Sequence, residues 1–488
     1  MKKNTVTTLI VFALAASMIW TSNQMHPHLL SQRETLNQAE PIENLPPLIA
    51  LITVAAGGFR GIVADVLWVR VTKLQNAGKY LELVQLSDWI TKLEPRVDSV
   101  WVYHVWNLSY NVSVMFPDVE DRWRWVSHGL DLLRDKGLQY NPNSARLYQE
   151  MAWIFNHKLG AQLDRAHWYY KNAWKDEMGL LFSGPRPDYE RYLAVPATSA
   201  ELLADPEIRD LVEQLGPFKV KYNDKGLLQR KQLSEPLQEL LNTHPAAERL
   251  LDFLKVQTLD QHYRMPVAAM KRLEDTFGPL DWRYPHTHAS YWAFEGKAHA
   301  DGFTQVTLNR LLFQSMMNNF IYGRIVIDPH NGEVFTTANP DMARQTDKAF
   351  RMAIKEVPDN ATYHQAYGHF LLRGAIELLS YNREDESLEL LETYREKYMN
   401  HENPWTDDQL MFNFLARGRA NPSVGIVNAI MGEMVSLEHR WKAIGDENRS
   451  RGYARLNQLV REQAATLGIE PDDDQTIIKT LRAKGQMR

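Results

Sequence analysis

The chain has 488 residues and a formal net charge of −5, so it lacks the basic footprint of a nucleic-acid-binding protein. A hydrophobic fraction of 44% and a mean hydropathy of −0.41 exclude a multi-span membrane protein but leave enough apolar residues for a sizeable core. The absence of cysteine excludes disulfides, thiolate nucleophiles and cysteine-ligated zinc.

The first residues have the layout of an export signal. Lys2 and Lys3 precede an uncharged, largely apolar run from Thr5 to Trp20. A cut at the small residues inside this run would leave only about eight apolar residues. We therefore predict an uncleaved signal-anchor or transmembrane helix over residues 1–22, with cleavage as the alternative. The lysines would stay in the cytoplasm. A single pass through residues 5–20 would then place the chain in a bacterial inner membrane, with its bulk periplasmic or otherwise extracytoplasmic.

A polar, proline-containing tether over residues 23–47 is predicted to link this segment to the folded part. The apolar run at 48–56 is too short to span a membrane. The next stretch has apolar residues at helical spacing, which predicts an amphipathic helix: Phe59, Ile62, Val63, Val66 and Leu67. This helix either lies on a bilayer surface or covers the core of the first helical layer. We favour the core, because apolar stripes of this kind are most often buried.

Most of the remaining chain carries helical patterns, which are interrupted at prolines such as Pro95, Pro117 and Pro142. One exception is a pair of β-branched runs, Arg324–Asp328 and Glu333–Thr337, around an Asn-Gly corner. This pattern predicts a β-hairpin near 324–337. A lone hairpin is marginal in water, so it must pack on the helices or pair with something else.

Two stretches have the residue spacing of paired helices, in which small side chains allow close crossing. Near the C-terminus, intervals of four, three and five separate a small, an aromatic, a small and a proline residue, and a glycine follows ten positions later: Thr346, Phe350, Ala353, Pro358 and Gly368. The earlier stretch places comparable residues on a first and a second helix: Tyr148, Ala152, Ala166, Tyr170 and Ala173.

These stretches resemble degenerate tetratricopeptide repeats, over about 95–175 and 342–400 of this chain. The segments GGFRGIVADVLWVR and GPLDWRYPHTHASYWA also resemble parts of uncharacterised bacterial envelope proteins that carry such repeats. The resemblance implies a helical solenoid and brings no known activity with it. Chance agreement within a generic α-helical protein is the alternative.

The predicted fold is mainly α, a tetratricopeptide-like helix-turn-helix solenoid with one small β-hairpin and an N-terminal membrane helix. Its predicted division in chain order is the signal-anchor 1–22, the tether 23–47, an N-terminal repeat-like region 48–180, a connecting segment 181–232, a middle helical region with the hairpin 233–340, a C-terminal repeat-like region 341–445 and C-terminal helices 446–488.

The most enzyme-like feature is a group of three imidazoles with carboxylates nearby, the usual ligands for zinc or iron in a chain without cysteine: His286, His288 and His299. On a helix, side chains two positions apart point about 200° from each other, so only an extended segment would aim His286 and His288 at one ion. The HExxH, GxSxG, GxxxxGK[ST] and GxGxxG signatures do not occur. We therefore predict no catalytic residue, metal or cofactor.

The leading functional hypothesis is a non-enzymatic, membrane-anchored scaffold that binds a protein or peptide in the bacterial cell envelope. Aromatic side chains dominate binding hot spots, so the candidate contact residues are Trp101, Tyr103, Trp106 and Tyr110. Burial in the core is the competing role for each of them. Two alternatives remain: a metal-dependent envelope enzyme that uses the histidine segment, and a subunit of a secretion, pilus or polysaccharide-export machine.

Overall fold

A computed structural model describes residues 60–330, 332, 334–399, 405–419 and 421–485. The predicted anchor, the tether and the run at 48–56 lie outside these residues. Within them the chain is mainly helical with one small antiparallel sheet, so these two parts of the predicted fold are confirmed. No helix in the described ranges combines the length and the apolar character needed to cross a bilayer.

The chain divides into two compact units at Pro95. The described part of the first unit is a helical hairpin of α1 (Arg60–Asn76) and α2 (Tyr80–Leu93). The second unit begins with helices α3 (Asp98–Trp106), α4 (Val119–Leu132), α5 (Leu138–Tyr140), α6 (Ala145–Trp153), α7 (His167–Gly179), α8 (Tyr189–Leu193), α9 (Ser199–Leu202), α10 (Pro206–Leu215), α11 (Glu235–Thr243) and α12 (Ala247–Gln257).

The rest of the second unit is again helical around one hairpin. Its elements are α13 (Val267–Phe277), α14 (Pro285–Gly296), α15 (Gly302–Tyr322), β1 (Arg324–Ile327), β2 (Val334–Thr337), α16 (Ala343–Glu356), α17 (Ala361–Ser380), α18 (Glu384–Tyr398), α19 (Asp407–Leu415), α20 (Val424–Ile444), α21 (Glu447–Thr466) and α22 (Asp474–Ala483).

Polar side chains before the helices explain where several of them begin. The Asp118 carboxylate accepts hydrogen bonds from the first free N–H groups of α4, and Asn360 does the same for α17. At α19, Thr406 and Gln409 form a reciprocal capping box. Each cap satisfies donors that have no partner inside the helix, so the chain enters the helix at that residue.

The second unit contains two hydrophobic clusters. The large cluster extends from Trp101 to Ile477, and α14 is central to it because this helix packs against both α6 and α15. The small cluster is formed by α9 to α12 and the turns between them, from Leu202 to Leu254. The small cluster therefore includes residues on both sides of the predicted boundary at 232.

The β-hairpin packs on the C-terminal helices and does not stand alone. Its strands pair from Arg324 with Thr337 to Ile327 with Val334. Phe335 of β2 contacts the Trp441 ring of α20 with centroids 5.7 Å apart. Packing against the helices supplies the support that a two-stranded sheet lacks in water.

Candidate partner-binding surface

Helices α3 and α6 occupy equivalent positions in two successive helical hairpins. Their first residues, Asp98 and Ala145, and their last residues, Trp106 and Trp153, are both 47 positions apart. Each helix continues without a break into a π-helical turn, Asn107–Val112 after α3 and Ile154–Gly160 after α6. A π-helical turn holds one more residue than an α-turn, which redirects the side chains that follow it, and such turns are frequent at functional sites.

Four rings from these two helix ends form a continuous series of ring contacts, which we call the aromatic ladder: Trp106, Tyr110, His157 and Trp153. Trp106 stacks on Tyr110 at 5.7 Å between centroids, and Trp153 stacks on His157 at 4.6 Å with ring planes 12° apart. The Tyr110 and His157 rings meet between the two helices at 5.8 Å. The ladder therefore joins two hairpins through side chains that are four positions apart on each helix.

The two outer rings of the ladder face solvent. Trp106 is 40% exposed and Trp153 is 37% exposed, an unusual state for the largest apolar side chain. Further exposed apolar side chains lie on the segments that follow the two π-helical turns: Val114, Met115 and Leu163. These segments are adjacent, because the Arg122 guanidinium donates hydrogen bonds to both the Val114 carbonyl and the Asp164 carboxylate. We call this combined surface, including the ladder, the ladder face.

A buried ionic cluster packs against the Tyr110 ring of the ladder. Lys158 donates to Asp164 at 2.7 Å and Arg122 donates to the same carboxylate at 3.0 Å. The ammonium group of Lys158 also lies 5.2 Å from the centre of the Tyr110 ring. Burial alone would raise the pKa of Asp164, but hydrogen bonds and the two cations outweigh it and lower the pKa. The carboxylate therefore stays ionised and ties the two π-helical turns together.

Burial shifts the pKa of two titratable groups near the ladder towards the neutral form. Burial raises the pKa of Glu150 on α6 to about 7, and Arg146 opposes this only partly. Burial, followed by the charge of Lys158, lowers the pKa of His157. A neutral His157 stacks between Tyr110 and Trp153 without the cost of a desolvated charge. Burial therefore favours the uncharged form of both groups.

The four predicted contact residues differ in their exposure to solvent. Trp101 is only 3% exposed and stacks on Tyr140 in the core, so we remove it from the candidate surface. Tyr103 is partly buried. Trp106 and Tyr110 are the two that belong to the ladder. Trp153 and His157 were not among the predicted contact residues. Their spacing nevertheless gave a signal, because a Trp is followed four positions later by an aromatic residue in both helices.

The histidine segment is buried in helix α14 and is not extended. His286 lies 2.9 Å from the Asn156 amide oxygen through its Nδ1 atom, and His288 lies 2.6 Å from the Trp282 carbonyl through Nε2. Burial lowers the pKa of His286 to about 3 and that of His288 to about 4, so both are neutral. His299 lies outside this helix and stacks on Tyr148 at 5.4 Å.

These imidazoles do not converge on a common point. His288 sits among aromatic rings, with Phe155 at 5.2 Å and Trp174 at 4.8 Å. His286 fits against Gly160, where a Cβ atom would come within 2.3 Å of the imidazole ring. Nowhere in the described ranges do three or more histidine or acidic residues form a group that could hold a metal ion.

A buried lysine lies next to the histidine segment. Lys171 of α7 is 7% exposed, and burial lowers its pKa to about 7. Its ammonium group donates to the Ala161 carbonyl at 3.3 Å and lies 3.2 Å from Nδ1 of His167. These contacts tie α7 to the end of the second π-helical turn. Lys171 therefore contributes to the packing of α7 against this turn.

The predicted repeat residues of the C-terminal stretch lie at helix crossings. Thr346 is fully buried and donates to the Met316 carbonyl of α15 at 3.1 Å. Phe350 stacks on Phe313 of α15 at 4.4 Å. The Cβ position of Gly368 on α17 lies 3.5 Å from the Tyr394 ring of α18. Ala353 is buried as well, and Pro358 follows the end of α16.

The predicted repeat residues of the earlier stretch lie on α6 and at α7. Ala152 and Tyr170 are fully buried, and Ala166 is buried immediately before the first residue of α7. Tyr148 packs against Trp292 of α14 at 5.9 Å. Ala173 is partly exposed on α7. In both stretches, most of the small and aromatic residues that the spacing selected are therefore packed between helices.

A cleft of about 1120 Å³ opens between α7 and the small cluster. Its walls mix cationic side chains such as Lys175 and Arg283 with the carboxylates of Glu177 and Glu248. Burial raises the pKa of Glu177 to about 7, and a hydrogen bond from Tyr263 opposes this. Arg283 pairs with Asp281 and Glu248 with Arg191. Two of the charged groups in the cleft walls are therefore paired within the protein.

Comparisons of the chain with models of known protein families, with curated proteins and with solved structures find no match.

Proposed function

We propose that this protein is a non-enzymatic helical scaffold that binds a protein or peptide partner through the ladder face. The observation that carries the proposal is the aromatic ladder with its two exposed outer rings, Trp106 and Trp153. Exposed tryptophans beside an apolar rim have the composition of a binding hot spot. In this proposal the partner covers both rings at once, since the stack places them at the two ends of one surface.

The rigidity of the ladder supports the same function. Each inner ring is held between two neighbours, and the carboxylate of Asp164 fixes the Lys158 side chain beside Tyr110. Side chains that are already ordered lose little conformational entropy when a partner binds. A preformed aromatic surface of this kind is suited to recognition of a protein or peptide chain.

We further propose that the helical hairpins are repeats of one solenoid. The residues that the tetratricopeptide-like spacing selected, such as Thr346 and Gly368, lie at helix crossings, which supports this architecture. The 47-position offset between α3 and α6 is longer than the 34-residue tetratricopeptide unit and is closer to longer two-helix repeats. We therefore propose a solenoid of helix pairs in which the repeats differ in length.

Membrane attachment is part of the proposal and is supported by the sequence of residues 1–22 alone. We propose a single-pass inner-membrane location with the two described units outside the cytoplasm. The scaffold would then present its ladder face to an envelope protein. Membership of a secretion, pilus or polysaccharide-export machine is one form of this proposal and differs from it only in the partner.

The metal-enzyme alternative gains no support from the histidine segment. His286 contacts the amide oxygen of Asn156, whereas His288 contacts the backbone carbonyl of Trp282. The two imidazoles therefore have different partners. The scaffold is therefore the one function that we propose.

Affinity purification of the full-length protein from gently solubilised membranes of its native cell tests the scaffold. The test variant is Trp106→Ala/Trp153→Ala, and the matched control is Trp405→Ala, which removes a tryptophan that is also 40% exposed but lies outside the ladder. We expect a stoichiometric partner with the wild type and the control, and its loss with the double variant. The same partner bound equally to all three would overturn the ladder face as its binding site.

A further inference from the structure

Helix α1 is apolar on two opposite sides. Its inner side, which includes Val71 and Leu74, is buried, and the helix pairs with α2. Its outer side carries three branched apolar side chains that are more than half exposed: Ile62 at 57%, Val66 at 65% and Val69 at 59%. The neighbouring helix therefore covers only one of the two apolar sides.

The spacing of the exposed side chains places them in one line. Positions 62, 66 and 69 are separated by four and three residues, so they lie within an arc of roughly 60° on the helix. The buried side, centred on Val71, is on the opposite half of the helix circumference. Such a continuous apolar line is unlike the isolated surface residues that every soluble protein carries.

The charges around this line favour an anionic partner. Around this line helix α1 carries two basic residues, Arg70 and Lys73, and one carboxylate, Asp65, whereas the whole chain has a net charge of −5. Arg70 and Lys73 are exposed, and their long apolar stems can extend along the line while the charged ends reach outward. Basic residues beside an apolar line are typical of helices that lie in a lipid interface.

The neighbouring sequence brings the same helix close to a membrane. The uncharged apolar run at 48–56 ends a few residues before α1 begins. In the sequence, the predicted tether over 23–47 and the run at 48–56 lie between the proposed anchor and α1. If residues 5–20 are anchored as proposed, α1 is held within reach of the bilayer surface.

We propose that α1 lies flat in the headgroup region of an anionic phospholipid bilayer, with Ile62, Val66 and Val69 inserted among the acyl chains. A lipid surface fits better than a protein partner, because the exposed line is purely aliphatic and lacks the aromatic side chains of a hot spot. This inference rests on the proposed membrane attachment. It adds a second contact with the membrane, independent of the ladder face and of the partner that binds there.

The absence of cysteine allows a direct test on the full-length chain. Single cysteines replace Ile62, Val66 and Val69 on the outer line, and Asp65 and Thr72 beside it. Each variant is labelled with a nitroxide and reconstituted in vesicles of phosphatidylethanolamine and phosphatidylglycerol. Collision of the nitroxide with oxygen reports contact with lipid, and collision with a water-soluble nickel complex reports contact with water.

We expect oxygen accessibility to exceed nickel accessibility at 62, 66 and 69, and the order to reverse at 65 and 72. Equal nickel accessibility at 66 and 65 would overturn the proposal. Exclusion of both reagents at 66 would overturn it as well, because that result indicates a protein surface or a second copy of the chain. Recovery of the labelled protein in the vesicle fraction checks the anchor separately, and the co-purification experiment checks the ladder face.

Vesicles of phosphatidylcholine alone test the requirement for negative charge. We expect the oxygen-to-nickel ratio at 66 to fall when phosphatidylglycerol is left out, because Arg70 and Lys73 lose their counter-charges. An unchanged ratio would overturn the anionic part of the proposal.

Discussion

Lys158 and Asp164 form an ion pair at 2.7 Å although their side chains are only 4% and 7% exposed. Arg122 completes the cluster from α4, so a single carboxylate pairs with two buried cations. Removal of one member of such a cluster costs more than the cluster itself contributes, because the remaining charges cannot return to water.

We expect Asp164→Asn to lower the free energy of unfolding by about 3–5 kcal/mol. Urea unfolding followed by far-ultraviolet circular dichroism measures the change. The control is Glu120→Gln, which breaks the exposed pair with Arg124. It should cost no more than about 1 kcal/mol. Equal unfolding midpoints for the two variants would show that the cluster does not support the π-helical turns.

Gly160 should not tolerate a side chain. In Gly160→Ala the new Cβ atom would lie 2.3 Å from the ring of His286, which is buried and 1% exposed. We expect a loss of about 1–3 kcal/mol in the free energy of unfolding. Gly179→Ala is the control, because nothing lies within 4 Å of its Cβ position.

A double-mutant cycle separates this clash from other effects of the alanine. The cost of Gly160→Ala should shrink by at least about 1 kcal/mol when His286 is already alanine. An additive result would mean that the glycine is required for a reason other than the imidazole.

Glu150 should make the protein less stable as pH rises. The pKa of this buried carboxyl is about 7 in the folded chain, whereas an unfolded chain ionises it near pH 4.3. Between these two values the folded state binds more protons than the unfolded state, so the free energy of unfolding falls with increasing pH. Above pH 7 the penalty is complete.

Glu150→Gln removes this penalty, and we expect the variant to be more stable than the wild type by about 1–3 kcal/mol at pH 8 and similar to it at pH 4. Urea unfolding at several pH values measures both. Glu177, whose pKa is also about 7, should keep part of the slope in the variant. A constant difference between variant and wild type from pH 4 to pH 8 would contradict the shifted pKa.

Arg449 should be required to hold the β-hairpin. Its guanidinium lies 4.1 Å from the ring centres of both Tyr381 and Trp441, and it donates a hydrogen bond to Thr337 of β2. Lysine keeps the charge but loses the planar stacking. We expect Arg449→Lys to lower the free energy of unfolding by about 2 kcal/mol.

Hydrogen–deuterium exchange localises the effect of this variant. We expect faster exchange of the β1 and β2 amides, Arg324–Ile327 and Val334–Thr337, with little change in α6. Arg451→Lys alters an exposed arginine of the same helix and serves as the control. Unchanged protection of the hairpin in Arg449→Lys would show that other contacts hold it.

Local features of the fold were predictable from the sequence because they depend on residues close in the chain. Helical periodicity predicted most of the second unit as helix, and the Asn-Gly corner between β-branched runs predicted the hairpin over 324–337. Helix formation involves groups four positions apart, and a hairpin turn involves groups directly beside it. A single sequence contains this information in each local window.

The tertiary structure decided which side chains meet and which reach solvent. Trp101 and Trp106 lie on one helix and are the same residue type, yet the first is 3% exposed and the second 40%. The π-helical turn after α3 leaves little trace in hydrophobic periodicity, although it helps to direct Tyr110 towards His157.

Contacts between residues that are distant in the chain were also decided by the tertiary structure. His286 of α14 meets Asn156 of the second π-helical turn, which is more than a hundred positions away in the chain. Residue type and local spacing determined that this chain forms amphipathic helices with aromatic side chains. Only the packing of whole helices determined that Trp106 and Trp153 share one surface, because burial depends on what the rest of the chain places against each face.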